Sequence, residues 1–177
     1  QRALAGCTIS QIQGILNGTT NYILTQMETG QSYASALAEA QRLGYAEADP
    51  TADVEGWDAA GKAVILANVL MGGDLQVAAV DRTGISKLTL ADVDAARAAG
   101  ERWKLIAKVW HSDGTTKASV TPTRVPLSHP LAGVGGAVNA VTYTTDLLGD
   151  VTLVGPGAGR METGYAVLGD LLEIARE

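Results

Sequence analysis

Phenylalanine is absent from this 177-residue chain, and aromatic residues make up only 5% of it. The core must therefore be built from Ala, Val, Ile and Leu. A single cysteine, Cys7, excludes an internal disulfide and a cysteine metal cluster. It fits a reducing compartment, and the cytoplasm is the expected location. No Lys/Arg block exceeds two residues and the formal net charge is −6, which argues against nucleic acid or an anionic membrane surface as a partner. The longest apolar stretch, Ala63 to Met71, is interrupted by Asn68 and falls far short of the roughly 20 residues of a membrane span. No secretory signal is visible. The two histidines, His111 and His129, lack metal-ligand spacing, and no metal site is expected. The sequence starts at Gln1, not Met, and enters patterned sequence at once, so a piece of a longer polypeptide is expected.

What remains is a globular balance, 46% hydrophobic and 18% charged. A domain of this size buries roughly 70% of the surface its unfolded chain exposes. Apolar positions Ile12, Ile15, Leu16, Ile23 and Leu24 predict a helix over Ser10 to Met27. Gly14 and Gly18 weaken it, by about 1 kcal/mol each relative to Ala. A second helix is predicted from Ser32 to Leu43, between an N-cap Ser32 and a C-terminal Gly44. A third runs from Val54 to Leu70, and a short one from Thr89 to Ala99 carries Asp92 at the capping-box position. The second half turns to strands. Trp103–His111 and Lys117–Pro126 flank a hairpin turn at Ser112-Asp113-Gly114-Thr115, and Asn139–Thr145 pairs with Asp150–Val154. A last helix covers Glu162 to Arg176. Helices first and antiparallel strands later predict an α+β fold, a mainly antiparallel sheet covered on one face by helices.

The densest chemistry lies between Ala46 and Lys62. Glu47, Asp49, Asp53, Glu55 and Asp58 precede the first cation, Lys62. On a helix Asp58 and Lys62 stand at i,i+4 on one face. One reading is an ordinary surface ion pair worth a few tenths of a kcal/mol. The other is a lysine held by carboxylates that moves a proton to or from a substrate oxygen. A carboxylate cage for a divalent cation lacks the loop spacing of calcium sites. Asn17-Gly18-Thr19-Thr20-Asn21 reads either as a polar bend with a later helix start, or as a small-molecule contact through backbone N–H groups. Gly155-x-Gly157-x-Gly159 imitates a phosphate loop, but no crossover strand follows it.

Taken together, these segments resemble a known family. Gly14-Ile15-Leu16-Asn17-Gly18-Thr19-Thr20-Asn21-Tyr22-Ile23-Leu24 resembles the opening of the catalytic region of homoserine dehydrogenase. Gly44 to Pro50 and Asp53-Val54-Glu55-Gly56-Trp57-Asp58-Ala59-Ala60-Gly61-Lys62 are similar to that family's signature. His129 to Ala132, Asn139 to Val141 and Gly155 to Gly159 follow in the family's order. The resemblance implies NAD(P)-dependent interconversion of L-homoserine and aspartate 4-semialdehyde, on the route to threonine and methionine. It implies that Lys62 exchanges the proton, that Glu47 binds the substrate amino group, and that Asp53 and Asp58 hold substrate or lysine. Gly18 and Thr19 become substrate contacts; Gly157 and Gly159 become cofactor-side glycines. It further implies a homodimer. The nucleotide-binding domain and a monovalent-cation site would lie upstream, so the chain alone is not expected to turn over. Residues 1–160 would form the substrate-binding, catalytic and dimerisation domain. Residues 161–177 would form a helix that packs on the nucleotide-binding domain and here exposes an apolar face. A non-catalytic dimerisation module of the same fold and a dehydrogenase of another small amino acid are the alternatives.

Overall fold

The computed structural model describes residues 4–176. Six strands form one sheet: β1 (Ile9–Ile15), β2 (Asp81–Arg82), β3 (Glu101–Ser112), β4 (Thr115–Pro126), β5 (Val138–Thr145) and β6 (Gly149–Pro156). Their order is β2-β4-β3-β1-β5-β6, and every pair is antiparallel except β2–β4. The helices are α1 (Gly18–Glu28), α2 (Tyr33–Arg42), α3 (Thr51–Val54), α4 (Trp57–Leu70), α5 (Leu90–Ala98) and α6 (Arg160–Ile174).

Side chains alternate across the sheet, as strand geometry requires. On β3, Leu105, Ala107 and Val109 point into the main core beneath α1, α4 and α5, while Ile106 points to the other face. There Ile15, Ile106, Val125 and Ala140 form a smaller core under the short 3₁₀ turn Pro130–Gly133. The main core needs no phenylalanine because its helices press in closely. Ala59, Ala60, Ala63 and Ala67 are the fully buried face of α4 against β3 and β4.

Two expected elements are corrected. The helix predicted over Ser10 to Met27 is a strand followed by a helix. β1 is one of the two central strands, between β3 and β5, and its Gly14 lies so close to β5 that a Cβ there would sit 2.7 Å from the Ala140 carbonyl. The helix begins only at Gly18, behind Asn17 in extended conformation (φ −133°, ψ 116°). The helix predicted from Val54 to Leu70 is broken at Gly56, whose φ of +80° is left-handed. A Cβ there would come within 3.2 Å of Val120, so glycine lets this turn settle onto β4.

The other boundaries stand within a few residues. Ser32 caps α2, accepting from Ser35 N at 3.2 Å. Thr89 and Asp92 form a reciprocal capping box on α5, at 3.2 and 2.9 Å. Asp113 and Gly114 both take positive φ (53° and 74°), the two-residue turn suited to a twisted hairpin. The last helix, α6, starts two residues earlier than read, and none of its residues is buried. Its Tyr165, Leu168, Leu171 and Leu172 all face solvent. Among the described residues no helix is long and apolar enough to cross a membrane.

Candidate active site

The break between β1 and α1 sets up the site. Asn17 is 5% exposed and sits where the strand ends and the helix begins. Its Oδ1 accepts from Thr20 N (2.8 Å) and the Thr20 hydroxyl (3.0 Å), capping α1. Its Nδ2 donates to Asp53 Oδ1 (2.7 Å) and Asp58 Oδ2 (3.0 Å). The amide orientation is forced, because the Thr20 N–H can only donate and the carboxylates accept.

α4 brings in the lysine. Lys62 Nζ donates to Asp58 Oδ2 at 2.7 Å and to the Leu16 carbonyl at 3.0 Å. Asp58 and Lys62 stand at i,i+4 as the sequence spacing requires. Their side chains are 34% and 43% exposed, so as a bare pair they would contribute little. The second bond, to the end of β1, separates this lysine from a surface ion pair. It fixes the amine at the start of α1, beside the shared Asn17 amide. Lys62, Asp58, Asp53 and Asn17 thus form one hydrogen-bonded chain.

Gly18 and Thr19 open α1, where the first N–H groups have no intrahelical partner and the helix dipole favours an anion. Asn17 caps Thr20 only, and the first turn carries no acidic residue to compete. A Cβ on Gly18 would lie 2.6 Å from the Ala137 carbonyl, so the helix start can approach the sheet this closely only with glycine. The Thr19 hydroxyl donates to the Tyr45 carbonyl at 2.7 Å, and Tyr45 stacks obliquely on Tyr22, 4.9 Å between ring centroids. These contacts dock the acidic loop onto α1. Gln41 Nε2 then holds the Glu47 and Ala48 carbonyls, at 3.1 and 3.4 Å, and leaves the Glu47 side chain exposed.

The remaining carboxylates of the loop shape it. Asp49 accepts from Thr51 N at 3.1 Å, and the Thr51 side chain and N–H together hold its carboxyl below the ordinary carboxylate range. Glu55 Oε1 accepts from the Ser86 hydroxyl at 2.6 Å.

On the sheet side, Asn139 lies between Gly18 and Gly157. A Cβ on Gly157 would overlap the Asn139 amide, and one on Gly18 would stand 3.5 Å from its Oδ1. That oxygen is buried and has no hydrogen-bond partner. Gly157 is therefore linked through Asn139 to the helix start. Gly159 is not: its φ is +146°, and it faces the carboxylate of Glu162 in its own helix. No hydrogen bond or ion pair of the Glu47 carboxylate reaches the lysine among the described residues.

Sequence reasoning named Asn17 within a polar run but gave it no role, although an Asn preceding Gly-Thr-Thr is a strong N-cap signal. Asn139 was noted only within the family-like Asn139–Val141 segment, with no role of its own.

The sequence model of the homoserine dehydrogenase family matches residues 1–172. The NAD(+)-dependent homoserine dehydrogenase of Pseudomonas canavaninivorans is 53% identical over 175 residues, covering 98% of this chain and 50% of that protein. The crystal structure of a homoserine dehydrogenase from Thiobacillus denitrificans superposes with a TM-score of 0.95 at 41% identity, covering 98% of this chain and 41% of that one. A hyperthermophilic archaeal homoserine dehydrogenase in complex with NADPH superposes at 0.80 with 34% identity, covering 96% and 48%. The chain thus spans about half the length of the relatives it matches.

Proposed function

Because the chain belongs to the homoserine dehydrogenase family, we propose that it is the substrate-binding, catalytic and dimerisation portion of an oxidoreductase that interconverts L-homoserine and L-aspartate 4-semialdehyde. The parent enzyme would be a cytoplasmic homodimer serving threonine and methionine biosynthesis. The observation that carries the reading is the chain Lys62–Asp58–Asn17–Asp53 at the mouth of α1.

The nicotinamide cofactor, NAD or NADP, supplies or accepts the hydride when bound. The residues present fit such a group. The buried, unpaired Asn139 Oδ1 is an acceptor awaiting a donor such as a carboxamide, and Gly157 leaves room beside it. Asn139 and Gly157 would hold the cofactor's reactive end, with Gly159 two residues on at the start of α6. A nucleotide-binding domain elsewhere in the parent would hold the rest, and the monovalent cation is assigned upstream of this chain. The apolar, uncovered face of α6 suits packing on that domain.

This chain's residues handle substrate and proton. The free N–H groups of Gly18 and Thr19 receive the substrate carboxylate. The exposed Glu47 carboxylate binds the substrate ammonium. Toward homoserine, the aldehyde oxygen gains a proton from Lys62 as its carbon is reduced; in reverse, the hydroxyl returns that proton to the amine. Asp58 and the Leu16 carbonyl aim the amine, and Asn17 keeps Asp53 and Asp58 side by side despite their like charge.

The test is homoserine-dependent reduction of NAD(P)⁺ by the parent polypeptide beside its Lys62→Ala variant. A fall of about 10²–10⁴ is expected for loss of a general acid–base group. Activity untouched by the change refutes the proton role of Lys62.

A further inference from the structure

Asp53 and Asp58 come from different helices, and the turn between them, Glu55-Gly56-Trp57, sets their separation. That turn is gripped from outside by one short segment, residues 82–86. The Arg82 guanidinium donates to the Glu55 carbonyl and lies over the Trp57 ring, its Cζ 3.6 Å from the ring centroid. Ile85 N donates to the Val54 carbonyl at 2.8 Å. The Ser86 hydroxyl donates to the Glu55 carboxylate at 2.6 Å. Gly84 lies so near that a Cβ would sit 2.6 Å from Glu55 Cα and closer still to the Val54 carbonyl. The segment is itself anchored: β2 pairs with β4 through Asp81 and Arg82, and Thr83 N donates to the Val120 carbonyl at 2.8 Å.

We infer that Arg82 and Gly84 are positioning residues for the Asp53–Asp58 pair. They act on the reaction by fixing the α3–α4 turn, not by touching substrate. The physical case rests on Gly56. Its left-handed φ breaks the helix: Glu55 N and Gly56 N bond back to the Thr51 and Asp53 carbonyls and Ala60 N bonds to the Gly56 carbonyl, but the Val54 and Glu55 carbonyls accept from Ile85 and Arg82 instead of from N–H groups of α4. Something outside α3 and α4 has to hold it, and a planar guanidinium can donate to a carbonyl and stack on an indole at once, which lysine cannot do in one geometry. Asn17 bridges oxygens 2.7 and 3.0 Å from one nitrogen, so a shift of this turn by a fraction of an ångström opens that bridge and loosens Lys62.

The inference rests on the homoserine reading above. Its test uses the parent polypeptide with Arg82→Met and Gly84→Ala, each alone and each combined with Asp58→Asn. Alone, each variant should lower kcat for homoserine oxidation by about tenfold at unchanged KM for NAD(P)⁺; in the Asp58→Asn background each should add less than about twofold. That non-additivity distinguishes positioning from simple loss of folded enzyme, which would persist in both backgrounds. Arg82→Lys should fall between wild type and Arg82→Met, and it carries the test should the methionine variant not fold. A tenfold loss that recurs in full beside Asp58→Asn, or folded variants with wild-type kcat, overturns the inference. A parent polypeptide that does not oxidise homoserine at all overturns the functional reading beneath it, before any variant is compared.

Discussion

Replacing Asn17 by alanine removes a helix cap and a bridge together, and the two can be separated. The cap consists of Oδ1 accepting from Thr20 at 2.8 and 3.0 Å. Its loss should cost about 1 kcal/mol. The bridge consists of two bonds from Nδ2 to carboxylates. Hydrogen bonds to charged groups contribute about 1.5–3 kcal/mol each where they are shielded. The Asp58 side chain is 34% exposed, so water replaces much of that bond, and the pair belongs at the low end. The sum for Asn17→Ala is roughly 4 kcal/mol, a fall in unfolding midpoint of about 8–16 °C for a domain of this size. Asn17→Ser keeps an oxygen for the Thr20 N–H but cannot reach the carboxylates. It should regain about 1 kcal/mol, or about 2–4 °C, and no activity. Thermal unfolding of the parent polypeptide followed by circular dichroism, beside homoserine-dependent NAD(P)⁺ reduction, reads both quantities. A serine variant that matches wild type in midpoint and in rate would refute the bridge.

Two further outcomes are expected. Gly157→Ala drives a methyl group into the Asn139 amide, so KM for NAD(P)⁺ should rise by about tenfold, the equivalent of about 1.4 kcal/mol, while the unfolding midpoint barely moves because Gly157 itself is exposed; an unchanged KM would detach this turn from the cofactor. Lys104 is fully buried, donating to the Val134 carbonyl at 2.8 Å and to Asn21 Oδ1 at 3.2 Å, and burial holds its pKa below the ordinary 10.5 despite the nearby Glu28. A base with a depressed folded pKa binds fewer protons folded than unfolded, so stability rises with pH between that folded value and 10.5. The stability of wild type relative to Lys104→Met should therefore increase across that window in denaturant titrations at stepped pH; a flat or falling difference contradicts it.

Much of the molecule was legible because its signals are local. Ser32, Thr89 with Asp92, and Asp113-Gly114 each fix a boundary through bonds that span three or four residues. The Asp58–Lys62 spacing is of the same kind. β1 was misread because its apolar residues Ile9, Ile12 and Ile15 recur every third position, which imitates a helix. The strand period is hidden because Gly14 carries no side chain and both neighbours of β1 are strands. The break at Gly56 was missed because an isolated glycine is tolerated within a helix; what demands its positive φ is the approach of Val120, 64 positions along and invisible to any local window. Asn17 likewise gains its meaning from Asp53 and Asp58, 36 and 41 residues away. The site was recognisable as a set of residue types, but its connectivity required the fold.

The position of β1 also constrains how the protein is made. This strand leaves the ribosome before both of its neighbours, yet Thr8 at its foot bonds to Asp146, 138 residues later. At about 5–20 residues per second, that interval is on the order of ten seconds. Ile12 and Ile15, destined for opposite cores, have no partner strand until β3 emerges and only one until β5 follows. The nascent chain therefore exposes apolar residues of an unpaired strand during synthesis, the kind of surface that chaperones shield. A stalled or truncated product lacking β5 would also leave the β1–α1 junction without one of its two walls, so only a fully translated sheet can assemble the lysine and its carboxylates.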